Sequence, residues 1–232
     1  MDKHVQEIFG YIPNLFGIKV LDLGAGKGRF MFEIIKNGGN VTGVEPYEEY
    51  IKLLKQRAEE IGVDVSIIQG VGEKLTFSDN EFGFVNMSEV IEHVIDPRLV
   101  MSEVHRVLVP GGSVYISVPN RFGIKDQHFN LYFINWLPRK WGAAVISMLN
   151  IKRDYERNNG VQRLNEMHYF TYKKIKSLLM SLGFDVIDIR ETKIKKLFPN
   201  PIIRFFIQTV YTVVKNFYFD SFHFLLKKPT IK

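Results

Sequence analysis

The sequence predicts an α/β fold: a Rossmann-like doubly wound sheet of about seven strands, mostly parallel with an antiparallel last strand, and a helical insertion after the fifth. Two observations carry this. From residue 19 to residue 120, short runs of β-branched and apolar residues alternate with amphipathic stretches of helix length, the pattern of right-handed βαβ units around a parallel sheet. At the first strand-to-helix junction, "KVLDLGAGKGRF" (19–30) sets three glycines in five positions. A turn of that kind lets main chain approach a neighbour or a ligand closely.

In chain order, "KVLDLG" (19–24) reads as the first strand and "GRFMFEIIKNGG" (28–39) as a helix closed by glycines. "NVTGVEP" (40–46) is the second strand. A helix over 47–62 follows, with Tyr50, Leu53, Leu54, Ala58 and Ile61 on one face. "VDVSIIQG" (63–70) and "FGFVNMS" (82–88) are the third and fourth strands, and a helix runs from Pro97 to the glycines at 111–112. "SVYISVPN" (113–120) is the fifth strand. Beyond an aromatic-rich stretch of weak periodicity at 121–167, "FTYKKIKSLLMSLGF" (170–184) is a helix, "FDVIDIRETKI" (184–194) the sixth strand and "DSFHFLLKKP" (220–229) the last.

The 232 residues are 46% hydrophobic and 24% charged, a soluble globular balance that fits a single domain over 1–232. Within it, 121–167 reads as a cap or substrate-binding insertion over the carboxyl edge of the sheet, and 199–217 as an extra apolar helix. The absence of cysteine excludes disulfides, thiolate metal sites and a cysteine nucleophile. "MDKHVQEIFGY" has no apolar segment of signal-peptide length, so the expected location is cytoplasmic. A net charge of +6 permits nucleic-acid binding without indicating it.

Ligands of open parallel sheets sit beyond the carboxyl ends of the strands, where the strand order reverses. The glycines at 24, 26 and 28 follow G-x-G-x-G, with Arg29 where a dinucleotide fingerprint has its third glycine. Glu45 ends the second strand, where a carboxylate accepts both hydroxyls of a ribose. Both cofactor classes need that acid, so alone it indicates only a nucleoside.

Taken together, "VLDLGAGKGRF", "GVEP", "GEKLTF" and "SEVIEHVIDPRLVMSEVHRVLVPGG" resemble class I S-adenosylmethionine-dependent methyltransferases, in the branch with small-molecule and quinone O-methyltransferases. The resemblance covers 18–120 and resumes at 168–184. It implies S-adenosylmethionine as cofactor. Asp22 and the backbone of Gly24, Ala25 and Gly26 would meet its amino-acid end, with Gly28 opening the helix behind. Glu45 would hold the ribose, Pro46 or Tyr47 would flank the adenine, and Gly72 and Glu73 would lie at the adenine edge. Met87 and Ser88 would lie under the methyl donor. Val71 and Gly83 depart from the family, which usually has acids there.

For chemistry, "SEVIEHV" offers Glu89, Glu92 and His93, which share one face if the segment is helical. Histidine, with an ordinary pKa of about 6.5, serves as a base near neutrality. The pattern E-x-x-E-H with His168 further on also resembles the metal-binding set of small-RNA 2′-O-methyltransferases. Three readings stay open: a metal-free catalytic group of His93, Glu89 and His168, a divalent cation on these residues and Glu92, or a loop-ordering role only.

The insertion offers an acceptor-binding wall with Arg139 and Lys140 near an anionic group, or a small satellite core. Its wording resembles a subgroup of cell-surface polysaccharide or lipid-linked glycan pathways. In 202–217 the stripe Ile203, Phe206, Val210, Val213, Val214 and Phe217 would dock on the domain, on a second subunit of a homodimer, or in a membrane interface. The functional expectation is methyl transfer to oxygen of a small-molecule or lipid- or glycan-linked acceptor. Its rivals are a metal-assisted RNA 2′-O-methyltransferase and a non-catalytic binding module of the same fold.

Overall fold

Seven strands form one sheet: β1 (Lys19–Leu23), β2 (Asn40–Glu45), β3 (Ser66–Gln69), β4 (Phe82–Met87), β5 (Leu108–Pro119), β6 (Asp185–Asp188) and β7 (Ser221–Lys227). Their order is β3-β2-β1-β4-β5-β7-β6. β1 to β5 pair in parallel, and β7 runs antiparallel between β5 and β6. This computed structural model describes residues 3–12, 17–151 and 163–230. The chain moves outward from β1 to β3 and returns to β4, so the order reverses between β1 and β4 and opens a crevice at their carboxyl ends.

Alternation along each strand builds two cores. Val20, Phe84 and Tyr115 point to one face with Phe30, Met31 and Leu54. Leu21, Val85 and Ile116 point to the other with Val100, Val104 and Leu179. The helices cover both faces: α1 (Lys3–Phe9), α2 (Arg29–Lys36), α3 (Glu48–Ile61), α4 (Pro97–Val107), α5 (Arg139–Met148), α6 (Tyr172–Ser181), α7 (Ile189–Leu197) and α8 (Pro201–Val214). α1, which the sequence reading passed over, buries Val5 and Ile8.

Four expectations change. α3 buries Ile51, Leu54 and Ala58, while Leu53 and Ile61 face outward. α4 stops at Val107 rather than at the glycines; Leu108 is already extended, and Asn80 and Glu81 N–H groups cap the Arg106 and Val107 carbonyls. β6 stops at Asp188, whose carboxylate accepts the Glu191 N–H and starts α7. Asp188 and Glu191 form a helix-start spacing that the β-branched composition of the segment masked. Last, of the three placements open to the α8 stripe, docking on the domain is not adopted: Ile203, Phe206, Val210 and Val213 face outward, Val214 is half-buried, and Tyr211 is the buried side chain.

The insertion has its own core of Phe129, Ile134, Ile146, Leu164 and Met167; residues 152–162 of it lie outside the described residues. Its neck is zipped by Arg121 N–H to the Phe170 carbonyl (2.9 Å) and Phe170 N–H to the Pro119 carbonyl (3.1 Å). Asn120, fully buried at that neck, donates from Nδ2 to the carbonyls of Lys215 (3.4 Å), Asn216 (3.2 Å) and Phe219 (2.9 Å). One amide thus fixes the end of β5, the insertion and the segment after α8 together. Asn120→Ala leaves these carbonyls without their donor and is expected to cost about 1–3 kcal/mol, read from urea unfolding followed by circular dichroism.

Candidate cofactor and catalytic site

The glycine turn joins β1 to α2 at the carboxyl edge. Gly24 and Gly28 have φ of +75° and +74°. A Cβ on Gly24 would stand 2.6 Å from Val90 Cγ2, and one on Gly28 would stand 2.7 Å from Phe32 Cε2. Both positions therefore exclude side chains by conformation and by contact. The Gly24 and Ala25 N–H groups donate to the Val44 carbonyl (2.8 and 3.1 Å), and the Gly26 N–H donates to Glu45 Oε2 (2.8 Å). Those three donors are spent inside the protein.

Two carboxylates flank the turn. Glu45, 4% exposed, also accepts the Tyr47 N–H on Oε1 (3.1 Å). Burial raises its pKa against these two backbone bonds. Asp22, 2% exposed, accepts from Asn86 Nδ2 (2.7 Å), and Asn86 Oδ1 accepts from the Ser88 hydroxyl (2.8 Å). Burial pushes Asp22 up to about 7, opposed by Asn86 and reinforced by the charge of Glu45. Such a pair is stabilised by a cation or by hydroxyl donors at the site. An amino acid's ammonium and a ribose diol fit it.

The other expected cofactor residues sit around the same edge. Pro46 and Tyr47 are exposed beyond β2, and the Tyr47 ring meets Tyr50 edge-on at 6.1 Å. Gly72 is buried, and a Cβ there would lie 3.0 Å from Val100 Cγ1. Glu73 already has partners: Oε1 accepts the Ile95 and Asp96 N–H groups (2.7 and 3.3 Å) and so holds the loop before α4. Met87 is fully buried in the core, which leaves only its backbone to meet a ligand. Val71 is exposed, and Gly83 makes room for Ile18, whose Cβ would be 3.0 Å from an added Cβ.

The segment 88–95 is a series of turns and not a helix, so Glu89, Glu92 and His93 do not share a face. Glu89 is exposed in a left-handed conformation (φ +56°), its N–H held by Ser117 Oγ (2.8 Å). His168 contributes main chain, its N–H donating to the Glu92 carbonyl (2.9 Å), while its ring stacks on Phe170 at 6.4 Å. The side chain that joins Glu92 and His93 is instead His128, from the insertion. Among the described residues, Glu92, His93 and His128 offer ligand atoms within 4.8 Å of one another. Glu92 Oε1 lies 3.3 Å from His128 Nε2 and 4.0 Å from His93 Nε2.

His128 is held by a chain the sequence reading missed. The Tyr169 hydroxyl donates to Asp126 Oδ2 (2.6 Å), which commits its only hydrogen. His128 Nδ1, 3.0 Å from the Tyr169 hydroxyl oxygen, must then donate to it, which assigns the tautomer. Nε2 is thereby turned towards Glu92. Arg139, expected near an acceptor anion, instead lies over the Tyr169 ring at 4.1 Å and donates to the Leu164 and Met167 carbonyls. No motif in "QHFN" points to His128, since its partners lie more than thirty positions away. Gly43 was also passed over: a Cβ there would stand 2.5 Å from Met31 Sδ, so it lets α2 lie against β2.

The raised pKa of Asp22 has a stability consequence. An acid that binds its proton more tightly in the fold contributes fully below its unfolded pKa of about 3.9 and loses that contribution as pH rises. For Asp22 the loss extends to about pH 7. In thermal melts across this window, Asp22→Asn is expected to flatten the fall in Tm with rising pH.

Residues 21–116 match the family described as a methyltransferase domain. The ubiquinone biosynthesis O-methyltransferase of Klebsiella pneumoniae is 36% identical over 119 residues, covering 49% of this chain and 49% of that protein. Its counterpart in Rhizobium etli is 31% identical over 141 residues, covering 57% and 56%. The chain spans about half the length of these curated relatives. A crystal structure of an S-adenosylmethionine-dependent methyltransferase from Methanosarcina mazei shares the fold, with a TM-score of 0.60 at 20% identity over 97% of this chain and 98% of that one. The likeness to methyltransferases thus runs in sequence through residues 21–116 and in fold through the whole sheet.

Proposed function

We propose that the protein transfers a methyl group from S-adenosylmethionine to an oxygen of a small-molecule or a lipid- or glycan-linked acceptor. The observation that carries this reading is the pair of buried carboxylates, Asp22 and Glu45, flanking the glycine turn. Glu45, pinned by the Gly26 and Tyr47 N–H groups, takes the ribose hydroxyls on its remaining lone pairs. Asp22 and the turn carbonyls take the ammonium. Pro46, Tyr47, Gly72 and Glu73 border the adenine, and the backbone of Met87 and Ser88 borders the reacting end. The bound cofactor supplies an electrophilic methyl. Matched relatives named as O-methyltransferases favour oxygen as the nucleophile, and the location in keeping with this is cytoplasmic, at the periphery of a membrane.

An acceptor hydroxyl must lose its proton as it attacks. His93, partly exposed beside the buried Glu92, takes that role, with Glu92 stabilising the imidazolium. His128, held by Tyr169 and Asp126, brings its Nε2 to 3.3 Å from Glu92 Oε1. Glu89 lies at the mouth and His168 ties the two loops through its main chain.

A second reading is favoured by one feature of the same cluster. Glu92 is fully buried, and neither carboxylate oxygen accepts a hydrogen bond among the described residues. A divalent cation on Glu92, His93 and His128 would satisfy it, with mixed carboxylate and imidazole ligands that suit Mn²⁺ or Fe²⁺.

Calorimetry separates these parts. Glu45→Ala is expected to weaken S-adenosylmethionine binding at least tenfold; equal affinity in wild type and variant refutes the ribose assignment. His93→Ala is expected to lower kcat by about 10²–10⁴ with cofactor affinity unchanged. Electron paramagnetic resonance with Mn²⁺ tests the cation: a bound signal lost in Glu92→Gln supports it, and EDTA-insensitive activity without such a signal rules it out.

A further inference from the structure

We propose that α8 and the aromatic cluster beside it form a docking face for an anionic membrane surface, on the same edge of the sheet as the glycine turn. Most of its large apolar side chains face away from the protein. Arg204, Gln208, Tyr211 and Lys215 recur at helical spacing on its inner side, with the half-buried Ile207 and Val214 among them. There Tyr211 donates to Asp188 (2.8 Å), and the Lys215 ammonium sits 3.6 Å over the Tyr172 ring. The outer side carries Ile202, Ile203, Phe205, Phe206, Val210 and Val213, each between 51% and 68% exposed. A helix of a water-soluble monomer turns the opposite way.

The apolar face continues past the helix. Phe217 meets Trp136 of the insertion at 6.0 Å, and Trp136 meets Phe122 and Phe133, both at 6.2 Å. Trp136, Phe133 and Phe217 are each about half exposed. Rings of this kind favour the headgroup level of a bilayer. Asn120 holds the end of this face against the carboxyl end of β5, so it lies at the same edge of the sheet as the crevice.

Charge selects the occupant. From Thr192 to Phe219 there is no aspartate or glutamate, while Lys193, Lys195, Lys196, Arg204 and Lys215 fall within the stretch. The three exposed lysines lie on α7, which packs on α8; Lys193 and Lys195 also reach Glu7 and Glu191. Anionic lipid attracts such a stretch. A second copy in a two-fold interface would bring the same basic stretch against itself. Among the described residues no helix is long and apolar enough to cross a membrane, so α8 lies in the plane of the interface. An acceptor with an apolar anchor would then meet the crevice without leaving the bilayer, a consequence that rests on the proposed methyl transfer; the docking itself does not.

Flotation of the full chain tests this without any catalytic readout. With phosphatidylcholine vesicles containing phosphatidylglycerol, the protein is expected to float, and less so as NaCl rises. Phe205→Ser with Phe206→Ser is expected to reduce partitioning about a hundredfold, roughly tenfold per ring, with thermal melt and cofactor affinity unchanged. Val210→Ser with Val213→Ser, one turn on, is expected to act in the same direction. Absence of flotation, equal flotation on pure phosphatidylcholine, or indifference to both variant pairs overturns the proposal. So does a stable lipid-free dimer that these substitutions dissociate, which assigns the face to a second copy. Loss of cofactor binding in wild type would refute the methyltransferase reading and leave the flotation result standing.

Discussion

The bond from the Gly26 N–H to Glu45 is the contact on which the site depends. It ties the end of β2 to the turn after β1, and so fixes two adjacent carboxyl edges in one geometry. The turn can make this bond because Gly24 and Gly28 take backbone conformations closed to other residues, with Val90, Phe32 and Leu54 packed where their side chains would be. The cost is a buried acid beside a second one, Asp22, whose pKa burial raises to about 7. A folded state that tolerates such a pair has an electrostatic requirement built into it, and a cofactor carrying an ammonium meets that requirement.

Much of this was legible in the residues. The mostly parallel sheet follows from the alternation of short apolar runs and amphipathic helices, and the turn from its glycines, because local periodicity and backbone sterics decide both. Glu45 could be read from its place at the end of a strand. Misreadings occurred where local signals compete. The β-branched stretch 184–194 hid a helix start at Asp188, and "VLVP" looked like the end of a helix when it was the start of β5.

The cluster of Glu92, His93 and His128 was less legible for a different reason. Glu92 and His93 are neighbours in sequence, but the group facing them comes from His128, and its orientation from Tyr169 and Asp126. Nothing local encodes that meeting. It is produced by the neck at Asn120 and Phe170, which folds the insertion back over the loop after β4. For α8 the opposite holds: the apolar stripe was plain in the sequence, whereas the side it faces depends on Asp188, Tyr172 and the polar residues they retain.

The antiparallel strand β7 lies between β5 and β6, so β6 has no other neighbour in the sheet. On a ribosome, β6 emerges first, then α8 with its greasy outer surface, and only then the strand that joins β6 to the rest. Throughout that interval the nascent chain exposes an unzipped ribbon and a sticky rod at once. Synthesis of this protein thus has a vulnerable window between the emergence of β6 and that of β7, when a chaperone or a nearby bilayer has most to offer it.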